Sequence, residues 1–175
     1  MKEQNPILQV KDLTVSFNAF AGKVQAVRGV NFDLNKGETL CIVGESGSGK
    51  SVTNKAIMGI LSKNAVIERG EILYDGMDLT KLTEKQFCQI RGKRIAMVFQ
   101  DPLSALNPIM KVGKQITETL RIHQNLSHEE ARKSAIELMG AVGIPEPEKR
   151  FNQYPFQFSG GMRQRIVIVI ALACN

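Results

Sequence analysis

Eight consecutive residues, Gly44-Glu45-Ser46-Gly47-Ser48-Gly49-Lys50-Ser51, carry the spacing G-x-x-x-x-G-K-S. The residue types suit a polyphosphate. Glycines let the backbone curl until successive N–H groups converge on one point, with no side chain to hold an anion away. Lys50 supplies a long cationic arm able to reach β- and γ-phosphates, and the Ser51 hydroxyl is a hard oxygen ligand suited to Mg²⁺. A second glycine cluster, Phe158-Ser159-Gly160-Gly161-Met162, runs into Arg163-Gln164-Arg165. Ser159 is a good helix N-cap, and two glycines after it let a first helical turn approach a ligand closely. Alone, a Ser-Gly-Gly tripeptide specifies little.

The elements around the first cluster match what phosphate binding requires. Thr39-Leu40-Cys41-Ile42-Val43 is an apolar run that predicts a buried strand. Val52 to Leu61 places Ala56, Ile57, Ile60 and Leu61 at helical spacing, with Val52 opening the helix. Strand, glycine loop and helix in that order form a P-loop, and the helix aims its partially positive N-terminus at the bound phosphates. A nucleoside triphosphate is the expected ligand.

Upstream, Ile7 to Phe17 and Val24 to Leu34 predict two strands joined by Ala19 to Lys23, and Lys36-Gly37 turns the chain toward the P-loop. They predict an antiparallel sheet added beside a parallel core. Phe17 and Phe20 are its candidates for stacking on a base, and core packing explains either one equally well. Downstream, Gly70 to Leu79 holds a strand and an Asp75-Gly76 hairpin turn, and Thr83 with Gln86 is spaced as a capping box for a helix through Arg91. Arg94 to Phe99 predicts an apolar strand ending at Gln100-Asp101-Pro102. An acidic residue at a strand end imitates a Mg²⁺-holding Walker B carboxylate. Pro102 follows at once and Gln100 occupies the strand end, which counts against Asp101 in that role.

Val112 to Gln124 and His128 to Val142 read as helices, the second opened by a Ser127/Glu130 capping box. The stretch from Pro102 to about Pro155 therefore interrupts the α/β pattern as a helical insert. His123 and His128 have no third ligand at metal spacing and read as surface residues. Ile166-Val167-Ile168-Val169-Ile170 suits a buried strand as well as a helix, and periodicity leaves the choice open.

Composition narrows the class. With 175 residues, 43% of them hydrophobic, the chain fits one domain with a real core. No apolar run approaches the roughly 20 residues that span a bilayer, and the N-terminus has no apolar signal core, so a cytoplasmic address is expected. Cys41 in the predicted buried strand, Cys88 in a helix and a scattered Cys174 read as reduced thiols. The net charge of +6 is spread along the chain, without a basic block or interleaved aromatics, so no nucleic-acid partner is expected.

Taken together, GESGSGKS, the strand-end glutamine in VFQDP, and FSGGMRQR resemble, in their order and separation, the ATP-binding subunits of ABC transporters. Phe158 and Met162 stand where the family signature, LSGGQ, has leucine and glutamine. DPLSALNP at Asp101 to Pro108, YPFQFSGGMRQR at Tyr154 to Arg165 and the terminal ALACN are similar to the oligopeptide/dipeptide importer branch. The resemblance covers essentially the whole chain.

It implies ATP and Mg²⁺ as ligands. Gly44 to Ser51 would be the Walker A loop, with Lys50 on the phosphates and Ser51 on the metal. Gln100 would be the Q-loop glutamine, touching Mg²⁺ and linking the core to the helical subdomain that meets the membrane partner. Ser159, Gly160 and Gly161 would contact the γ-phosphate of ATP held by a second, identical or different, ATP-binding subunit. Phe17 aligns with the adenine-stacking aromatic, with Phe20 possible, and the family's helix after the signature favours helix for Ile166 to Cys174. The chain would stop before the Walker B strand, its Mg²⁺ aspartate and the catalytic glutamate.

The expected fold is thus an α/β, ABC-type P-loop NTPase core, C-terminally truncated, with an N-terminal antiparallel β subdomain and an inserted helical subdomain. Residues 1–101 would form the β subdomain and P-loop core, 102–158 the helical subdomain and 159–175 the signature helix. With its covering strands missing, Ile166 to Cys174 would be partly exposed. The implied function is to power peptide import at the cytoplasmic face of the membrane, with transmembrane permease subunits, by a chain unable to hydrolyse ATP alone. Two alternatives are a soluble ABC ATPase acting on nucleic acid or ribosomes and a non-catalytic nucleotide-binding module.

Overall fold

The computed structural model describes residues 6–20 and 22–174. They divide into two compact units, Met1–Cys88 and Gln89–Asn175.

The first unit is built on an antiparallel sheet of order β2-β1-β3-β4. Its strands are β1 (Leu8–Ala19), β2 (Gly22–Leu34), β3 (Ala65–Tyr74) and β4 (Met77–Asp78). Ala19 pairs with Gly22, so the link between β1 and β2 is shorter than the Ala19 to Lys23 connection the sequence predicts; Ala21 lies outside the described residues. Asp75 and Gly76 both take positive φ, 49° and 78°, the geometry of the tight β3–β4 hairpin that Asp-Gly forecasts. Val10, Leu13, Val15, Val27 and Ile72 bury the sheet's core face. Register slips at Asp12, whose φ is 48°. Asn31 Oδ1 accepts from its N–H at 2.8 Å and Arg69 pairs with its carboxylate at 2.7 Å, so the irregularity has its polar groups met.

Helix α1 (Lys50–Ile57) follows the glycine loop and is shorter than the spacing of Ile60 and Leu61 predicts. It stops in a Schellman turn: Ile60 N–H donates to Lys55 O (2.9 Å) and Gly59 N–H to Ala56 O (3.1 Å). Gly59, at φ 62°, has the Phe87 ring packed where a Cβ would stand. Helix α2 (Glu84–Ile90) begins where Gln86 Oε1 reaches back to Thr83 N–H at 2.8 Å.

The second unit is helical: α3 (Pro102–Ala105), α4 (Val112–Gln124), α5 (His128–Ala141), α6 (Pro147–Arg150) and α7 (Gly160–Leu172). Ser127 and Glu130 complete the capping box in both directions. Ile166, Val167, Val169 and Ala173 of the C-terminal stretch are buried with Ile116, Leu120 and Met139 of α4 and α5. The stretch is helix, and as expected it is partly exposed: Leu172 is 49% exposed, and Ile168 and Ile170 are half-buried.

Two predicted strands do not form. Thr39–Val43 and Arg94–Phe99 carry no strand ladder, apart from a single Arg91–Ile95 bridge. Val43 is 84% exposed, and Cys41, expected in a buried strand, is exposed as well. An apolar run becomes a buried strand only when neighbours take its N–H and C=O groups and cover both faces. The described residues give these stretches isolated hydrogen bonds, such as Gly92 N–H to Ile95 O, but no ladder.

Candidate functional site

The glycine loop is fixed at its end by Gly49, which has φ 90° and caps α1 without a side chain. A Cβ at Gly49 would lie 2.5 Å from the Ala26 carbonyl oxygen of β2. The position thus excludes a side chain twice, by backbone conformation and by contact with the sheet. Thr53, buried one turn into α1, donates its hydroxyl back to Gly49 O at 3.1 Å and fastens the loop to the helix.

Lys50 folds over the loop. Its Nζ donates to Gly44 O and Glu45 O, each at 2.6 Å, and to Ser48 Oγ at 3.2 Å. Ser48 N–H closes a turn on Glu45 O, and a Cβ on Gly44 would stand 2.7 Å from Ser48 Oγ and 3.8 Å from the ammonium. The loop is therefore a cradle that one added carbon would fill. Ser46 and Gly47 form its outer turn, with Gly47 at φ 84°, and Ser51 and Val52 lie in the first turn of α1, whose N–H groups have no acceptor within the helix. A cation, a curled loop and a helix N-terminus converge there, which is the chemistry of an anion site. A cavity of about 420 Å³ in the same unit, lined by Gly59, Ser62, Lys63 and Phe87 among others, sits beyond the opposite end of α1 and contains none of these residues.

The sheet also carries the aromatic candidate. Phe17 of β1 is half-buried and pairs with Val24 of β2. Ala26, whose carbonyl meets Gly49, lies two residues farther along β2, or roughly 7 Å at the rise of a strand. Phe20 projects fully into solvent at the hairpin tip.

In the second unit, Gln100 is exposed at the end of the apolar Arg94–Phe99 stretch. Its neighbour Asp101 is a helix cap: its carboxylate accepts from Leu103 N–H at 2.9 Å and opens α3. That backbone hydrogen bond, aided by the Ser104 hydroxyl, holds the Asp101 carboxyl below the usual aspartate range. Ser159 caps α7, its Oγ accepting from Met162 N–H at 3.4 Å, and Gly160 and Gly161 are exposed in the first turn with open space around them.

The three polar residues after the glycines each reach a different segment. Arg163 donates to Pro155 O at 2.8 Å and Phe156 O at 3.3 Å, Gln164 to Phe99 O at 3.3 Å, and Arg165 to Gly143 O at 2.8 Å. Sequence reasoning marked this tripeptide without giving it partners. Its signal was three long donors in a row at the start of an apolar helix.

A protein-family model described as "ABC transporter" matches residues 27–175. The chain belongs to the ABC transporter family. Among its curated relatives is the oligopeptide transport ATP-binding protein OppD of Bacillus subtilis, 61% identical over 97% of this chain and 48% of that protein. Another is the dipeptide transport ATP-binding protein DppD of Lactococcus lactis, 54% identical over 98% of this chain and 50% of the relative. The chain thus spans about half the length of the curated relatives it matches. The dimeric ATP-binding cassette MJ0796, solved in a post-hydrolysis state with ADP and Pi, superposes with a TM-score of 0.84 at 29% identity, covering 96% of this chain and 70% of that one. The fold is therefore that of an ABC ATPase cassette, a nucleotide-binding family. No helix among the described residues is long and apolar enough to cross a membrane.

Proposed function

We propose that this ABC family chain is an ATP-binding component of a peptide importer of the oligopeptide/dipeptide type. The observation that carries the reading is the glycine cradle closed by Lys50 at the N-terminus of α1. In it, Gly44 to Gly49 and the first-turn N–H groups of Lys50, Ser51 and Val52 hold the phosphates, and Lys50 exchanges its carbonyl partners for phosphate oxygens. Ser51 would hold Mg²⁺, which would neutralise charge on the phosphates, Phe17 would stack on the adenine, and Gln100 would keep the Q-loop role that the family resemblance implies. Ser159, Gly160 and Gly161 meet the γ-phosphate of ATP on a second ATP-binding subunit. The open space around both glycines and the dimeric form of the related cassette support that role. The high identity to oligopeptide and dipeptide transport proteins supports the substrate class, transmembrane permease partners and a seat on the cytoplasmic face of the membrane.

The transport reading is tested by ATP-dependent uptake of labelled peptide into vesicles holding the assembled transporter. Uptake lost with Lys50→Ala supports it; uptake indifferent to that substitution refutes it.

A further inference from the structure

Helix α7 begins with three long donors, and one of them touches the segment that ends in Gln100. The Gln164 side-chain amide donates to the carbonyl oxygen of Phe99 at 3.3 Å, across 65 positions of sequence. Both groups are part-buried, and both belong to the second unit. Backbone hydrogen bonds to Ile90 and Gly92 hold the start of the Arg94–Phe99 stretch, and the Gln164 contact adds an anchor at its last residue. Asp101, two residues on, is pinned separately through its cap on Leu103. Gln100 thus stands between two anchors, one on α3 and one on α7. Ser159, five positions before Gln164, lies at the N-terminus of the same α7.

We propose that Gln164 is a positioning residue that ties the Gln100 segment to α7, so that Gln100 and the Ser159 helix terminus respond to nucleotide as one body. The inference rests on the Q-loop role proposed above for Gln100. Arg163 and Arg165 do different work: they fasten α7 to Pro155, Phe156 and Gly143. Of the three donors, Gln164 alone reaches the Gln100 segment. The contact needs a donor, because a carbonyl can only accept.

Two measurements separate the tie from the role. Amide hydrogen exchange over Val98–Leu106 is followed in the parent protein, in Gln164→Met (similar size, no donor) and in Gln164→Lys (donor kept). Exchange in this segment should rise about five- to tenfold in Gln164→Met, the scale of one lost hydrogen bond, and return toward the parent rate in Gln164→Lys, with the melting temperature little changed. Unchanged exchange in Gln164→Met overturns the tie. ATP turnover of the assembled transporter is then compared for Gln164→Met, Gln100→Ala and the double variant. A fall of about tenfold in kcat with nucleotide affinity retained, vanishing in the Gln100→Ala background, supports positioning through Gln100. Additive losses overturn it, because the side chain then acts independently of Gln100. Faster exchange with a silent Gln100→Ala shows instead that the role given to Gln100 has failed, and the positioning claim falls with it.

Discussion

Two helices of this chain open on glycine, and they do so for opposite reasons. At α1, Gly49 sits at φ 90° with the Ala26 carbonyl where its Cβ would be, so the fold itself forbids any other residue. At α7, Gly160 and Gly161 have helical conformations and nothing within 4 Å of the place a Cβ would take, and Ser159 supplies the cap that Gly49 cannot. The cations differ in the same sense. Lys50 is held by its own loop, where an arriving phosphate can replace three acceptors at once, whereas Arg163 is committed to carbonyls of the preceding segment. A glycine that packing compels is explained by the fold. Glycines in the middle of open space, in a helix they weaken, are not explained by the chain's own packing.

Substitutions can break this contrast. The largest effect is expected at Gly49→Ala. A left-handed alanine costs about 1–2 kcal/mol and the Ala26 contact adds a similar overpacking term, so stability should fall by about 3 kcal/mol in a urea titration. Gly47→Ala, at φ 84° with open space around it, carries the backbone cost alone and should lose about 1–2 kcal/mol. Equal losses at the two positions would remove the β2 contact from the account.

Gly160→Ala and Gly161→Ala should behave in the reverse manner. Alanine is the better helix former by up to about 1 kcal/mol, so either variant should be as stable as the parent or slightly more so. Both should nevertheless weaken ATP-dependent dimerisation, followed by size-exclusion chromatography with non-hydrolysable nucleotide. Loss of stability, or dimerisation at the parent level, would show that these glycines serve the chain's own packing.

The smallest effect concerns Asp101. Its folded-state carboxyl is depressed by the Leu103 N–H bond, so the cap contributes stability above the ordinary aspartate pKa and loses it as pH falls through the lower folded value. The Leu103 amide resonance should therefore titrate below the usual aspartate range, and Asp101→Asn, which caps without titrating, should abolish that titration. A Leu103 amide shift that persists in Asp101→Asn would assign the pH response elsewhere.

Much of this was legible in the sequence where the signal is local. Asp75-Gly76 and Ser127/Glu130 each determine geometry within four residues, and both form as read. The glycine spacing of the P-loop likewise carries its own backbone requirement. What failed depends on distant partners. Thr39–Val43 has the composition of a buried strand, but composition does not supply the neighbours that make one. Ile166–Ile170 could not be assigned by period because all five residues are apolar, and its helical state follows from packing on α4 and α5. Gln164 was visible as a residue and invisible as a contact, since no spacing rule connects it with Phe99.

The central claim is that the cradle around Lys50 binds the phosphates of ATP, and the direct measurement is equilibrium binding of a fluorescent ATP analogue with Mg²⁺ to the chain and to Lys50→Ala. A charged hydrogen bond is worth on the order of 2 kcal/mol, so affinity should fall about thirtyfold in the variant. Equal affinity in the two proteins would contradict the claim.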